Sequence, residues 1–241
     1  MSVGKLSQSR GDLSVAVEHI VKSQASCYAK IVKNQGANSA RLIAMTESDR
    51  KQGLIEQHVK SILDDFSSGN LVLALNKAKE LSQRHPQVSL LHNLMGVILV
   101  NSGRRKDAIK SYNRALKINP DSYEAHNNLG NVYKGLGMLE KAAEHFERGV
   151  QINPGLAHAH NTLGLTLKAL NQADRAVNCY EKAIELDPDY SEAYNNLGIV
   201  YTESGEIEKA SRCYERALQL VPGFAIAHKN YSVIKKVREG R

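Results

Sequence analysis

The chain has few cysteines, no membrane-length apolar run and no familiar catalytic signature. Its three cysteines are too few and too irregularly placed for a disulfide framework, which points to reduced thiols in a cytosol. No apolar run approaches about 18 residues, the usual minimum for a spanning helix. The N-terminal stretch lacks the apolar centre of a signal peptide, and Ser2 stands where N-myristoylation needs glycine. There is no G-x-S-x-G elbow, no H-E-x-x-H pair and no P-loop. Gly135-Leu136-Gly137 follows a helical pattern rather than a strand, so it is a turn and not a phosphate cradle. These absences set the expectation of a protein that is not an enzyme, needs no cofactor or metal, and works in the cytoplasm.

Positive charge is in excess but uneven. Residues 1–53 hold 8 basic and 4 acidic side chains, residues 54–120 hold 10 and 5, and residues 121–241 hold 14 and 16. Solvated helix faces explain such a distribution, and so would an acidic partner or nucleic acid met by the basic N-terminal half.

What the chain does have is a period. Asn127-Asn128-Leu129-Gly130-Asn131-Val132-Tyr133-Lys134 returns after 34 residues: Gly130 maps onto Gly96, Gly164 and Gly198, Ala142 onto Ala108, Ala176 and Ala210, and Pro154 onto Pro86, Pro120, Pro188 and Pro222. Such a period marks a solenoid of helix pairs. Within one unit, Ala125, Leu129, Tyr133 and Leu136 follow helical spacing. Gly137-Met138 breaks the run, and a second helix from Leu139 carries Ala142, Ala143, Phe146, Val150 and Ile152 on one face. Asn153 before Pro154 is pushed out of the α region and ends it. Gly130 and Ala142 lack bulk where two helices must approach closely.

These residues resemble the tetratricopeptide repeat family. The resemblance rests on Leu129-Gly130, Leu163-Gly164, Leu197-Gly198 and Met95-Gly96; on the mid-unit Gly69, Gly103, Gly137 and Gly205; and on the aromatics Tyr112, Phe146, Tyr180 and Tyr214. It implies an all-α, right-handed α-solenoid of tandem helix-turn-helix repeats with a C-terminal capping helix. The expected divisions are a basic, partly disordered or helical segment over 1–53 and a solenoid over 54–241. The solenoid would comprise a degenerate unit 55–88, units 89–122, 123–156, 157–190 and 191–224, and a cap over 225–238. Within the first segment, Leu13, Val17, Ile20, Val21, Tyr28 and Ile31 suggest a helix from Asp12 to Lys33. In the degenerate unit Ser61-Ile62 replaces Leu-Gly, and Asn171 stands where a turn glycine is usual. The cap should turn a polar outer face to water through Lys229, Ser232, Lys235, Lys236 and Arg238.

The recurring polar positions are the candidate site. His58, His92, His126, His160 and His228 share one slot, where the resemblance implies a packing residue, and His158 and His160 face different ways on one helix. Asn93, Asn127, Asn161 and Asn195 form one column, and Asn128, Asn196 and Asn230 a second, with Asn131 beside it. Asparagine is a mediocre helix former, so these repeats have a purpose. Either the first column bonds a neighbouring helix, or the amides form a ladder that donates to and accepts from a peptide backbone. The resemblance places them on the concave face and implies an extended protein or peptide partner. The expected groove comprises Glu124, Asn127, Asn128, Asn131, Lys134, His158, Asn161, Lys168, Glu192, Asn195, Asn196 and Asn230. The units are also similar to the repeat arm of O-linked N-acetylglucosamine transferases, without their catalytic domains. That likeness implies, as an alternative, an arm serving a separately encoded transferase. The basic clamp with which other members of the family grip chaperone C-termini has no counterpart, since Val59, Leu63, His158 and Thr162 occupy the places.

Overall fold

The computed structural model describes residues 47–239, with side chains from 54 to 238. The helix expected over 12–33, and the character of most of the basic N-terminal segment, lie outside the described residues. Among the described residues the protein is an all-α solenoid with no strand. Its eleven helices are α1 (Glu47–Ser67), α2 (Leu71–Arg84), α3 (Ser89–Asn101), α4 (Arg105–Ile118), α5 (Tyr123–Gly135), α6 (Leu139–Ile152), α7 (Ala157–Ala169), α8 (Ala173–Leu186), α9 (Ser191–Glu203), α10 (Ile207–Leu220) and α11 (Ala225–Glu239). They fall into two compact units that divide after Arg104.

In the N-terminal unit, α1 and α2 pair around Gly69, whose φ of +82° lets the chain reverse. The boundary expected at 53/54 falls inside α1, because the helix starts at Glu47 with no break before the repeat pattern. Ile62 is buried on α1, and Ala74, Leu75, Ala78 and Leu81 are buried on α2. Lys77 pairs with Asp65 at 2.6 Å and donates to Ser61 Oγ at 2.9 Å. Helix α3 is apolar over most of its surface and buries Leu91, Leu94, Val97, Ile98 and Leu99.

In the C-terminal unit α5/α6, α7/α8 and α9/α10 are helical hairpins, and each second helix packs on the first helix that follows. Helix α11 closes the series against α10 and α9. The hairpin turns are Gly137, Asn171 and Gly205, with φ of 74°, 59° and 77°; asparagine is the side chain that best tolerates the left-handed region. Each pair is locked by a glycine under an aromatic ring. A Cβ on Gly130 would stand 2.8 Å from the Phe146 ring, and on Gly164 and Gly198 it would stand 2.7 Å from Tyr180 and Tyr214. The degenerate first unit reverses the sizes at the same two repeat positions: buried Ile62 takes the glycine's place and buried Ala78 the ring's.

The rings differ in their hydroxyls. Tyr214 shares a hydrogen bond with Thr202 Oγ1 at 3.0 Å. The Tyr180 hydroxyl is buried with no partner, because Lys168 occupies the place that Thr202 holds one unit later. A buried hydroxyl without a partner is a net penalty, whereas a satisfied one contributes about 1 kcal/mol. Tyr180→Phe is therefore expected to leave stability unchanged or raise it, and Tyr214→Phe to lower it by about 1 kcal/mol. Urea midpoints of the two variants check the contrast; equal losses would contradict it.

Candidate functional site

The first helices of successive pairs form a wall. Helices α7, α9 and α11 touch one another in order, and side chains join them at fixed heights. Asn196 Nδ2 on α9 donates to Asn161 Oδ1 on α7 at 3.0 Å, and Asn230 Nδ2 on α11 donates to Asn195 Oδ1 on α9 at 3.1 Å. Asn161 Nδ2 donates onward to the Tyr190 hydroxyl at 3.2 Å. Lys168 on α7 pairs with Glu203 on α9 at 2.8 Å. Tyr123 on α5 reaches His158 Nε2 on α7 at 2.8 Å, with the rings edge to face.

The expected groove residues therefore divide. Asn161 and Asn195 are only 6% and 4% exposed. They are buried braces and not open surface, which corrects their place among the groove-lining residues. Asn196 satisfies the Asn161 oxygen and Asn230 that of Asn195, because an isolated buried amide would be costly. Asn196 and Asn230 are half-buried and commit a donor to those braces, so each is partly structural. Glu124 is half-buried and accepts from Ser122 Oγ at 3.3 Å; Asn127 and Asn128 are also half-buried. On the open side stand Asn131, Lys134, His158 and Glu192, with Lys168 half-covered. Lys134 Nζ lies 5.6 Å from the Phe146 ring centroid, which shields it and lowers its pKa by desolvation.

The histidine slot is a turn fastener. His126, His160 and His228 each direct Nε2 to a proline carbonyl six residues earlier, at 3.0, 2.9 and 2.7 Å. A carbonyl only accepts, so each Nε2 carries the proton. His126 Nδ1 is then an acceptor, and His145 Nδ1 donates to it at 3.0 Å while the His145 ring stacks on Tyr133. Burial, and then His126, push the His145 pKa from 6.5 down to about 4. Burial also lowers that of His126. The unfolded chain thus binds more protons between pH 6.5 and about 4, so stability holds above that window and is lost as pH falls through it. Discounted for half exposure, the loss is about 1 kcal/mol. It is expected to disappear from the pH dependence of the urea midpoint in His145→Gln; an unaltered pH slope would contradict the assignment.

A set of residues absent from the expected site is the exposed aliphatics: Leu165, Ile226, Val233 and Val237. The signal was in the sequence. The column containing Asn131 continues as Leu165, Ile199 and Val233, changing from amide to aliphatic along the wall. The cap's polar outer face is present, with Lys229, Ser232, Lys235, Lys236 and Arg238 exposed, but Ile226, Val233 and Val237 form an apolar stripe beside it.

A family profile described as "TPR repeat" matches residues 96–137 and 166–203, and one described as "Tetratricopeptide repeat" matches 123–156 and 191–224. No curated protein matches the chain. Among solved structures, PilF of Pseudomonas aeruginosa is similar, with 18% identity, a TM-score of 0.68 and coverage of 78% of this chain and 86% of its own. MamA of Desulfovibrio magneticus RS-1, from residue 41 to its end, has 21% identity, a TM-score of 0.64 and coverage of 75% and 99%. YrrB, described as a TPR protein with an unusual peptide-binding site, has 21% identity, a TM-score of 0.63 and coverage of 71% and 89%. At such identities the likeness concerns the fold. Together with the period, the glycine–ring locks and the profile matches, it identifies residues 96–156 and 166–224 of this chain as tetratricopeptide repeats.

Proposed function

We propose that the chain is a non-catalytic protein-interaction module that holds an extended segment of a partner protein against the wall of first helices α5, α7, α9 and α11. The observation that carries this reading is the division of labour on the wall. Buried Asn161 and Asn195 brace it, while Asn131, Lys134 and Glu192 remain exposed at other positions of its first helices. A braced wall with open polar groups loses little freedom on binding, which favours affinity. Free, half-buried Cys179 and Cys213, both held protonated by burial, suit a reducing compartment such as the cytoplasm.

The test must avoid the braces. Asn196→Ala would strip a partner from Asn161, confusing fold with binding. Asn131→Ala, Lys134→Glu and Glu192→Lys combined alter only exposed groups. Against the partner recovered by pull-down from the native cell, the triple variant is expected to bind about 2 kcal/mol more weakly by calorimetry, roughly thirtyfold in Kd. Unchanged affinity with helicity intact would remove the wall as the binding surface. Recovery of a catalytic subunit in that pull-down would favour the transferase-arm alternative. Capture that collapses with salt and requires the basic N-terminal half would favour nucleic acid or an acidic partner there.

A further inference from the structure

The exposed aliphatics form a pattern. Leu165, Ile199 and Val233 occupy one repeat register on α7, α9 and α11, with Leu165 and Val233 exposed and Ile199 half-buried against the Tyr214 cluster; Ile226 and Val237 lie on the same face of α11 as Val233 by helical spacing. Packing of α11 does not need that face: its buried residues are Ala227 and Ile234, which sit about 80–100° around the helix from Ile226. Ile226 and Val233 are 60% and 52% exposed, whereas their counterparts on α5 are Glu124 and Asn131. The wall thus changes from polar at α5 to aliphatic at α11.

Charge fixes the chemistry beside the stripe. Lys229 and Lys236 are exposed on its flank, and no acidic residue occurs from Ala225 to Arg238. Lys168 is already matched by Glu203, so on the α7–α9–α11 part of the wall the excess of basic over acidic side chains lies on α11. Asn–Asn bridges hold successive first helices at ordinary packing separation, about 8–10 Å. A polyproline II chain advances about 3.1 Å per residue, so every third side chain advances about 9 Å and keeps step with the wall. A β-strand presents the same face every ~6.7 Å and falls out of step.

Resting on the reading above, we propose that the α7–α9–α11 part of the wall takes an extended partner segment with an apolar residue at every third position, its acidic end lying over α11. A lipid surface is the weaker occupant, because three aliphatic residues on one helix make a narrow stripe and Ile199 and Leu165 continue the row onto neighbouring helices.

The experiment is fluorescence anisotropy on the full chain with a labelled peptide of repeated Leu-Asp-Pro, against repeated Leu-Lys-Pro and Ser-Asp-Pro. The first is expected to bind at least about tenfold more tightly than either comparator. Ile226→Ser, Val233→Ser and Val237→Ser combined should remove that advantage, and Lys229→Glu with Lys236→Glu should transfer it to Leu-Lys-Pro. Equal binding of the three peptides, or indifference to both sets of substitutions, overturns the proposal. So does stripe-dependent binding to phosphatidylserine vesicles, or stripe-dependent self-association in sedimentation, without peptide preference. The two readings separate in the pull-down. If Asn131→Ala, Lys134→Glu and Glu192→Lys weaken the native partner while the stripe substitutions do not, the segment chemistry is wrong and the interaction module stands.

Discussion

Gly198→Leu is expected to destabilise the C-terminal pairs by about 3 kcal/mol, the upper end of the usual overpacking range. Even the first added carbon would stand 2.7 Å from the Tyr214 ring. The ring cannot simply retreat, since it is fully buried in a cluster with Ile207, Ala210 and Ile234. Something must therefore shift in the α9/α10 hairpin or in its contact with α11. The turn glycine in the same repeat behaves differently. Gly205 has open space around it and a φ of +77°, and Asn171 holds the equivalent place one unit earlier at 59°. Gly205→Asn is expected to cost less than about 1 kcal/mol. Thermal unfolding followed by circular dichroism separates the two; similar melting of Gly198→Leu and wild type would show that the close approach does not hold the pair. The first unit supplies a rescue, because Ile62 and Ala78 exchange the sizes of glycine and ring. Gly198→Ile combined with Tyr214→Ala is expected to be more stable than Gly198→Ile alone.

The helix boundaries, turns and close-approach glycines were legible in the sequence because each depends on a local constraint repeated every 34 residues. Gly137, Asn171 and Gly205 fill one backbone conformation, and Gly130, Gly164 and Gly198 fill one steric gap. The start of α1 was marked by Thr46 and Ser48 as cap candidates for a helix running to Phe66, although residues 47–53 are helical without carrying the repeat's pattern. The candidate site was legible only in part. A column of asparagines signals that amides are needed, but whether an amide faces a partner or a neighbouring helix depends on rotation by a fraction of a turn. Periodicity does not resolve that. The bridges from Asn196 to Asn161 and from Asn230 to Asn195 join residues 35 apart, one more than the period, and so connect two columns that looked independent. The aliphatic stripe escaped notice for a related reason: Ile226, Val233 and Val237 read as ordinary cap residues until the burial of Ala227 and Ile234, about a quarter turn away, shows that the core does not use them.

The bridge predicts strong coupling between its two members. Asn161 is buried, accepts from Asn196 and donates to Tyr190. In Asn196→Leu, Asn161 Oδ1 keeps its burial and loses its donor, which costs roughly 1–3 kcal/mol. In Asn161→Leu, the Asn196 amide and the Tyr190 hydroxyl both lose a partner; because both are half-buried, water compensates some of the loss and the cost is again about 2 kcal/mol. The double variant places two aliphatic groups of similar size where the bridge stood, and leucine is the better helix former. Removing both members of a buried polar pair is far milder than removing one. The double variant is therefore expected to be more stable than either single variant, with a coupling energy of at least about 1 kcal/mol in the cycle. Urea unfolding of the four proteins measures it. Additive losses would mean that the two asparagines act separately, and that the wall is held by Lys168–Glu203 and by backbone packing instead. Partner binding by the double variant then becomes informative: a wall that keeps its fold without amides at this height should keep its affinity if Asn131, Lys134 and Glu192 make the contacts.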